Sequence, residues 1–509
     1  CIAQMAKMMN KPQDYAEYIK RGQYWKNVFD NQTNFMRARS NGGWYIPFLP
    51  TDVNNHYTEG NAWQYSFLVP QDVEGLVEKM GGKENFEAKL DELFTTSDKL
   101  TGRPQSDITG LIGQYAHGNE PSHHMAYLFN YTDNPYKTQL YLSRIMRQQY
   151  RAEPDGLAGN EDCGQMSAWY VMSCLGFYNL APGQDDYQIG LPVFDKAVIN
   201  LENGKKFTIS GTGNTASSFY LQGMTLNKNP YDKLYITYKD IENGGDWEVF
   251  TGKLPNKMFM QELEKPKSKI TDELIVANPY IIYPAITIQN PINISFGCAE
   301  PGVKIYYTLD GSTPTTASTL FTKPLTLSAT TTVKCIAIKD GKISFVSEGT
   351  FTKIRSDVKV TSLSKYHPLY TAGGLNALID GFHGTANWRV GNWQAFQGND
   401  LEAVLDLGQS RLVNKIGINT LQDTRAWIVF PKSVEFMISE DGKIFEPAGS
   451  AISKVNINDM KVQTQLYSIN LNAKARYIKI IAHQYGPLPA WHESKGEQSY
   501  IFADEILLE

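Results

Sequence analysis

The absences in the sequence narrow its reading first. Cysteine is scarce: Cys1, Cys163, Cys174, Cys298 and Cys335 are the five in 509 residues, and no CxxC pair occurs. That excludes a disulfide scaffold and the usual zinc-ribbon and thioredoxin-like motifs. No run of about 18 apolar residues is present, so no segment reads as a membrane-spanning helix. Neither sign of charge dominates, with 48 Lys and Arg against 53 Asp and Glu and a formal net charge of −5. A protein that binds nucleic acid by neutralising phosphates needs a basic surplus, and there is none. The opening CIAQMAKMMN has neither an initiator Met nor a charged stretch ahead of an apolar core, so it is not a signal peptide. It reads as the interior of a helix that lacks upstream sequence; the other reading is a mature N-terminus.

What is present is ordinary globular composition, 42% apolar and 20% charged. The length predicts roughly three to four domains. Aromatics reach 12%, with 29 Tyr and 9 Trp. Pyranose faces stack on such rings, but large cores use them too, so this alone decides little.

Residues 1 to about 180 are rich in helix formers. Amphipathic spacing predicts helices over 14–30, 71–80, 85–97, 121–132, 136–150 and 165–178, a helical array. After Pro182 and Gly183 the character changes to β-branched and aromatic runs ended by turn residues, so 186–260 is a β segment with a hairpin turn at 226–232. The Lys- and Glu-rich stretch 261–278 fits a linker. Residues 279–353 predict a small β-sandwich, and 356–509 a larger one of jelly-roll type.

Three segments carry the candidate chemistry: YTEGNAWQYSFLVP with Glu59, GQYAHGNEPSHHMAYLFNY with Glu120, and GNEDCGQMSAWYVMSCLGFY with Asp162. Each is a loop entering an amphipathic helix, and loops are where scaffolds place reactive groups. Carboxylates near Trp and Tyr suit glycoside cleavage, where one acid protonates the leaving oxygen and a second activates water. The bland alternatives are specific. Glu59 and Glu120 also suit helix N-terminal carboxylates. Asp162 followed by Gln165 resembles a capping box. His123 and His124 diverge by about 100° on a helix and make no HExxH site, so one packed and one exposed histidine is the favoured reading.

On these three blocks, with IGLPVFD (189–195) and LNKNPYDKLYITYKDI (226–241), residues 1–260 resemble glycoside hydrolase family 92, exo-acting α-mannosidases frequent in Bacteroides-type glycan degraders. The resemblance implies an (α/α)6-type barrel beside an N-terminal β-sandwich, and Ca2+-dependent inversion. It implies Glu59 as general acid, with Glu120 the runner-up, and Asp162 as general base. Asn160 stands where some members carry a second Asp. Trp63, Asn119, His123 and Asn160 become substrate-binding candidates, and Asn119, Glu120 and Gln165 candidate Ca2+ ligands. It also implies that the first part of the family's catalytic region precedes Cys1, which leaves an incomplete and inactive site in the isolated chain.

Residues 279–353, with VKIYYTLDGSTPT, resemble the chitobiase and β-hexosaminidase C-terminal module and read as a spacer. Residues 356–509 resemble the discoidin, or coagulation factor V/VIII type C, domain on LNALIDGFHGTANWRVGNWQAF, LEAVLDLGQSRLVNKIGI and ARYIKIIAH. In bacterial enzymes that fold commonly binds carbohydrate. The resemblance implies Asp380, Thr385 and Glu505 as Ca2+ ligands, and Trp427 and Trp491, with Arg425 or His483 nearby, as a stacking platform. The expectation is thus a multidomain, secreted, periplasmic or cell-surface bacterial exo-α-mannosidase, α-1,2-selective, acting on N-glycans or mannan. A glycan-binding adhesion role for the tail is the alternative.

Overall fold

The computed structural model describes residues 1–213, 215, 217–354 and 357–509. The expected boundary at Ser356 lies outside the described residues.

Helix accounts for 20% of the chain. The first 180 residues are not an unbroken helical array. Helices Pro12–Arg21, Val73–Lys79, Lys83–Thr95, Tyr136–Gln148 and Gln165–Leu175 alternate with two-stranded pairs, among them Phe29–Asp30 with Phe35–Met36 and Arg39–Ser40 with Gly43–Trp44. The expected helix 14–30 stops at Gly22 and continues as a 3-10 turn, Tyr24–Asn27, and a short strand. The expected helix 121–132 is two 3-10 stretches, Glu120–Ser122 and Met125–Tyr131. Every residue of the second is buried. A stretch enclosed on all sides has no polar face, so periodicity does not identify its type. Helices Val73–Lys79, Lys83–Thr95, Tyr136–Gln148 and Gln165–Leu175 lay apolar residues on one core, which contains Phe67, Phe86, Leu90, Phe94, Phe129, Leu142 and Trp169, whereas Ile19 of Pro12–Arg21 packs with Ala3 and Ile270.

Helix Gln165–Leu175 ends at Gly176, whose φ of 99° suits glycine, and the chain turns into strand Phe177–Tyr178. That strand pairs with Asp186–Ile189, which pairs with Tyr235–Thr237. Beyond it lies a five-stranded sheet in which Lys206–Thr212 and Gly245–Gly252 run parallel. Alternating burial along these strands puts Phe207, Ile209, Trp247 and Val249 into a second core. Asn227 and Lys228 both have positive φ and close the expected hairpin between Tyr220–Leu226 and Asn229–Pro230.

Residues 280–353 form a two-sheet sandwich around Ile294, Phe296, Val333, Cys335 and Phe351. From Lys359 onward, a seven-stranded sheet is built on two long strands, Leu401–Gln422 and Gln463–Ala482. Register breaks at 406–411 and 413–415 bend the pair, so one ladder wraps the core of Leu405, Ile416, Phe436 and Ile480.

The stretch 261–278 is a packed strap rather than a free tether. Ser268 and Ile270 are 3% and 8% exposed, and Val276 and Ala277 are buried as well. The Ser268 hydroxyl donates to the Pro70 carbonyl, and the Ile270 N–H donates to Asp72 Oδ1 at 3.0 Å. Trypsin needs a locally unfolded segment. Cleavage after Lys267 and Lys269 is therefore expected only together with global unfolding. Early native-state cuts there, read by mass spectrometry, would contradict the packed strap.

Candidate active site

Three loops from separate elements meet here. The first precedes helix Ala62–Ser66. Asn61 and Gln64 form a reciprocal capping box, and both amides also bond to Gln114, in a cluster closed to solvent. The loop before Asn61 is thereby fixed, and Asn119 Nδ2 donates to the Glu59 carbonyl at 3.0 Å. Glu59 therefore does not cap the helix itself.

The second and third loops approach closely at two glycines. A Cβ on Gly159 would lie 2.4 Å from the Gly118 carbonyl oxygen, so neither loop tolerates a side chain at the crossing. The third loop then enters its helix through three left-handed residues in succession, Asp162 (φ 42°), Cys163 (φ 59°) and Gly164 (φ 85°). For the two non-glycine residues this costs about 1–2 kcal/mol each, less for Asp. The turn corrects the capping-box expectation. The N-cap is Gly164 and makes no side-chain cap bond, while Glu161 Oε1 accepts from the Ser167 N–H at 3.2 Å. Asp162 makes no side-chain cap bond, and its carboxyl instead acts electrostatically on that of Glu120.

Burial, then the charge and hydrogen bond of Asp162, then the charge of Glu59, push the Glu120 carboxyl above the usual carboxylate range. The three carboxylates singled out by sequence thus act on one another electrostatically. Such a cluster favours uptake of a proton or of a hard cation.

A buried imidazole scaffold stands behind it. The Tyr150 hydroxyl donates to the Met166 carbonyl, so His117 Nε2–H donates to Tyr150 and the Tyr115 hydroxyl donates to His117 Nδ1. His123 Nε2–H donates to the His117 carbonyl, leaving Nδ1 to accept from Gln165 Nε2 at 3.2 Å. Gln165 Nε2 also donates to Tyr178, and Trp169 Nε1 donates to the His123 carbonyl.

Two substrate-binding expectations are corrected by this geometry. His123 is 1% exposed and spends both ring nitrogens on the protein, so it positions rather than touches a ligand. His124 is also packed, donating to the Phe67 carbonyl, so neither adjacent histidine is exposed. Trp63 is 5% exposed, edge-on to Phe35 at 4.7 Å with Lys89 over its face, and belongs to the core. Asn160 is exposed and donates to Asp107 Oδ1 at 3.0 Å.

In the last domain, Asp380 and Glu505 come together, and with them Asp504, which the sequence reading missed. Burial first, then their neighbours, pushes Asp380 up to about 7 and Glu505 up to about 8. Asp504 is 1% exposed and accepts from the Gly384 N–H and Asn419 Nδ2. Thr385 makes other contacts. Its hydroxyl oxygen accepts from the Asn387 N–H, and its carbonyl accepts from Trp393 Nε1 at 2.8 Å. Trp393 is core. Trp491 is 48% exposed, on a loop tied by His492 to the Thr424 carbonyl beside the half-buried Trp427. His483 is set between Asp400 and Glu435.

Among the described residues, no group of three or more His, Cys, Asp or Glu is arranged to hold a metal by itself, and no helix is long and apolar enough to cross a membrane.

Residues 1–253 match the glycosyl hydrolase family 92 catalytic domain, 284–348 the chitobiase/beta-hexosaminidase C-terminal domain, and 358–499 the F5/8 type C domain. Among solved structures, a family 92 alpha-mannosidase of Bacteroides thetaiotaomicron in complex with mannoimidazole is 38% identical. It covers 54% of this chain and 38% of its own, with a TM-score of 0.50. An inverting family 92 mannosidase of the same organism is 33% identical over 53% of this chain and 38% of its own, with a TM-score of 0.48. An uncharacterized secreted glycosidase of Arthroderma benhamiae is 26% identical over 280 residues, 50% of this chain and 34% of that protein. The chain therefore spans between a third and two-fifths of the length of these relatives.

The scaffold predicts acid sensitivity. Burial lowers His123 and His124 to about 4, whereas an unfolded imidazole titrates near 6.5. The unfolded state binds more protons between those values. Stability is therefore complete above about pH 6.5 and is lost as pH falls toward 4, by roughly 3 kcal/mol per histidine. Urea midpoints followed by tryptophan fluorescence should drop from pH 7 to pH 5, and less so in His124→Gln. A flat profile would contradict neutral buried imidazoles.

Proposed function

For a chain that carries a family 92 glycosyl hydrolase region, then a chitobiase/beta-hexosaminidase C-terminal domain and an F5/8 type C domain, we propose membership of a Ca2+-dependent, inverting exo-α-mannosidase. Its action is to release mannose, α-1,2-linked, from N-glycans or mannan. The observation that carries the reading is the convergence of Glu59, Glu120 and Asp162 from three loops onto one electrostatic cluster. In this reading 1–260 is the catalytic region and its helices belong to an (α/α)6-type barrel. Residues 261–278 connect, 279–353 is the small sandwich, and 356–509 is the carbohydrate-binding domain. The protein works outside the cytoplasm, secreted, periplasmic or on the cell surface of a bacterium.

Glu59 gives its proton to the leaving glycosidic oxygen, and Asp162, free of capping, takes the proton of the attacking water. Glu120 is the other candidate for the acid, because burial and then its neighbours raise its carboxyl above the usual carboxylate range. The remaining donors suit Ca2+. Asn119 spends Nδ2 on Glu59, and Gln165 spends Nε2 on His123 and Tyr178. Each amide nitrogen is thereby committed, which leaves the amide oxygens as the groups that, with the Glu120 carboxylate, would hold a hard cation. When bound, the ion supplies positive charge that holds sugar hydroxyls and relieves the repulsion among the carboxylates. Gln165 is held by His123 and Tyr178, and Asn119 by the Glu59 carbonyl.

Glu59→Gln should lower mannose release from α-1,2-mannobiose by roughly 10²–10⁴-fold. It should largely spare aryl mannosides whose leaving group needs no proton. If Glu120→Gln shows that split instead, the two roles exchange. No mannose release by the whole protein with Ca2+ from any α-mannoside would refute the reading.

Asp380, the buried Asp504 and Glu505 do not form a metal set by themselves, but with backbone carbonyls completing the shell they would accept a hard cation, since His383, 3.6 Å from Asp504, is the one basic side chain contacting them among the described residues. Ca2+ at a hundredfold excess over Kd should stabilise the last domain by about 2.7 kcal/mol. EDTA and Asp504→Asn should each abolish that rise in melting temperature. Exposure of Trp491 favours a second, compatible role in glycan binding by 356–509.

A further inference from the structure

The sandwich 279–353 has the sequence of a spacer, yet its contacts are those of a bolted part. The hairpin formed by Arg39–Ser40 and Gly43–Trp44 runs into it. Arg39 Nη1 donates to the Pro279 carbonyl at 2.7 Å and Nη2 to the Asn278 carbonyl at 3.3 Å. The guanidinium also lies over the rings of Trp44, at 4.3 Å, and Tyr280, at 5.5 Å. A charge so desolvated requires surroundings that stay fixed.

Asn41 acts as a substitute strand. Its Nδ2 donates to the Thr350 carbonyl at 2.9 Å, and its Oδ1 accepts from the Thr350 N–H at 2.7 Å. The Ile281 N–H donates to the Gly42 carbonyl, and the Tyr283 hydroxyl to the Ser40 carbonyl. At Gly43 a Cβ would lie 2.5 Å from the Ile281 carbonyl oxygen and 2.6 Å from the Tyr283 ring. Beside the hairpin, Glu300 joins Lys79 of the first region to Lys339 of the sandwich, and Tyr24 meets Phe345 edge-on at 5.3 Å.

The hairpin in turn holds the chain that leads to Glu59. Arg37 lies over Trp44 and, at 4.4 Å, over Phe48, and pairs at 2.8 Å with Asp30, whose carboxylate is closed to solvent. Tyr57, two residues before Glu59, donates its hydroxyl to the Met36 carbonyl at 2.7 Å. The segment 45–59 is thus tied near both ends to the stretch that the sandwich grips.

We propose that the sandwich 279–353 is a fixed part of the catalytic unit, clamping the hairpin 39–44 and through it positioning the loop of Glu59. Arg39 and Asn41 are positioning residues, since neither reaches the carboxylates. The consequence for turnover rests on the reading of Glu59 as a reacting carboxylate; the clamp itself does not.

The test uses the whole protein and two buried thiols, Cys174 in the first core, 1% exposed, and Cys335 in the sandwich, 0% exposed. After the exposed Cys1 and Cys163 are blocked, thiol labelling is followed peptide by peptide in rising urea. In the wild type, Cys174 and Cys335 should label at one midpoint. In Asn41→Ala, Cys335 should label at lower urea, and kcat for mannoside cleavage should fall roughly tenfold with KM within about twofold. Asn41→Asp keeps the acceptor for the Thr350 N–H and should fall between. Separate midpoints already in the wild type would overturn the proposal, as would an Asn41→Ala variant with coincident midpoints and unchanged kcat. If the wild type releases no mannose, the enzymatic reading fails while the labelling midpoints still decide the clamp.

Discussion

The mutual repulsion of Glu120, Asp162 and Glu59, carboxyls brought together from three loops, is the constraint on which the rest of the site depends. Like charges held close disfavour one another's ionised forms, so such a group favours uptake of a proton or a cation. A protein holds such a group only if the backbone on each side is rigid. Here the rigidity has identifiable sources. A run of left-handed residues at 162–164 frees Asp162 from the helix end. Paired glycines let the loops cross. An imidazole and phenol scaffold, from Tyr115 to Gln165, locks the loop of Glu120 to helix Gln165–Leu175.

The same economy recurs in the last domain, where Asp380, Asp504 and Glu505 are packed together with little compensating positive charge. In both places the protein accepts carboxylate repulsion that an oxygen-seeking cation would relieve.

Much of this was legible in the sequence, and the limits have physical causes. The helices near 71–80, 85–97 and 136–150 follow their 3.6-residue stripes because each has one wet face. The stretch 125–131 has none, so its 3-10 form left no periodic trace. Glu59, Glu120 and Asp162 were found because their blocks are long. Trp63 and His123 were misread because adjacency in sequence does not say which side of a loop faces the core. The N-cap of helix Gln165–Leu175 is Gly164 rather than Asp162, and the three positive φ values that put it there cannot be seen in residue types. Asp504 is buried while Glu505 is half-buried on the same strand, and residue types alone do not say which of two adjacent acids faces inward. The clamp at 39–44 joins residues about 240 to 310 apart in sequence, and no local pattern announces it.

The central claim is that burial, and then Asp162 and Glu59, raise the Glu120 carboxyl above the ordinary carboxylate range. It is tested most directly by carbon-13 NMR titration of the Glu120 carboxyl in the wild type and in Asp162→Asn. The account predicts a titration above the ordinary carboxylate range in the wild type that falls back toward it once the Asp162 charge is removed. A Glu120 that titrates in the ordinary range in the wild type, or whose midpoint is unmoved by Asp162→Asn, would contradict it.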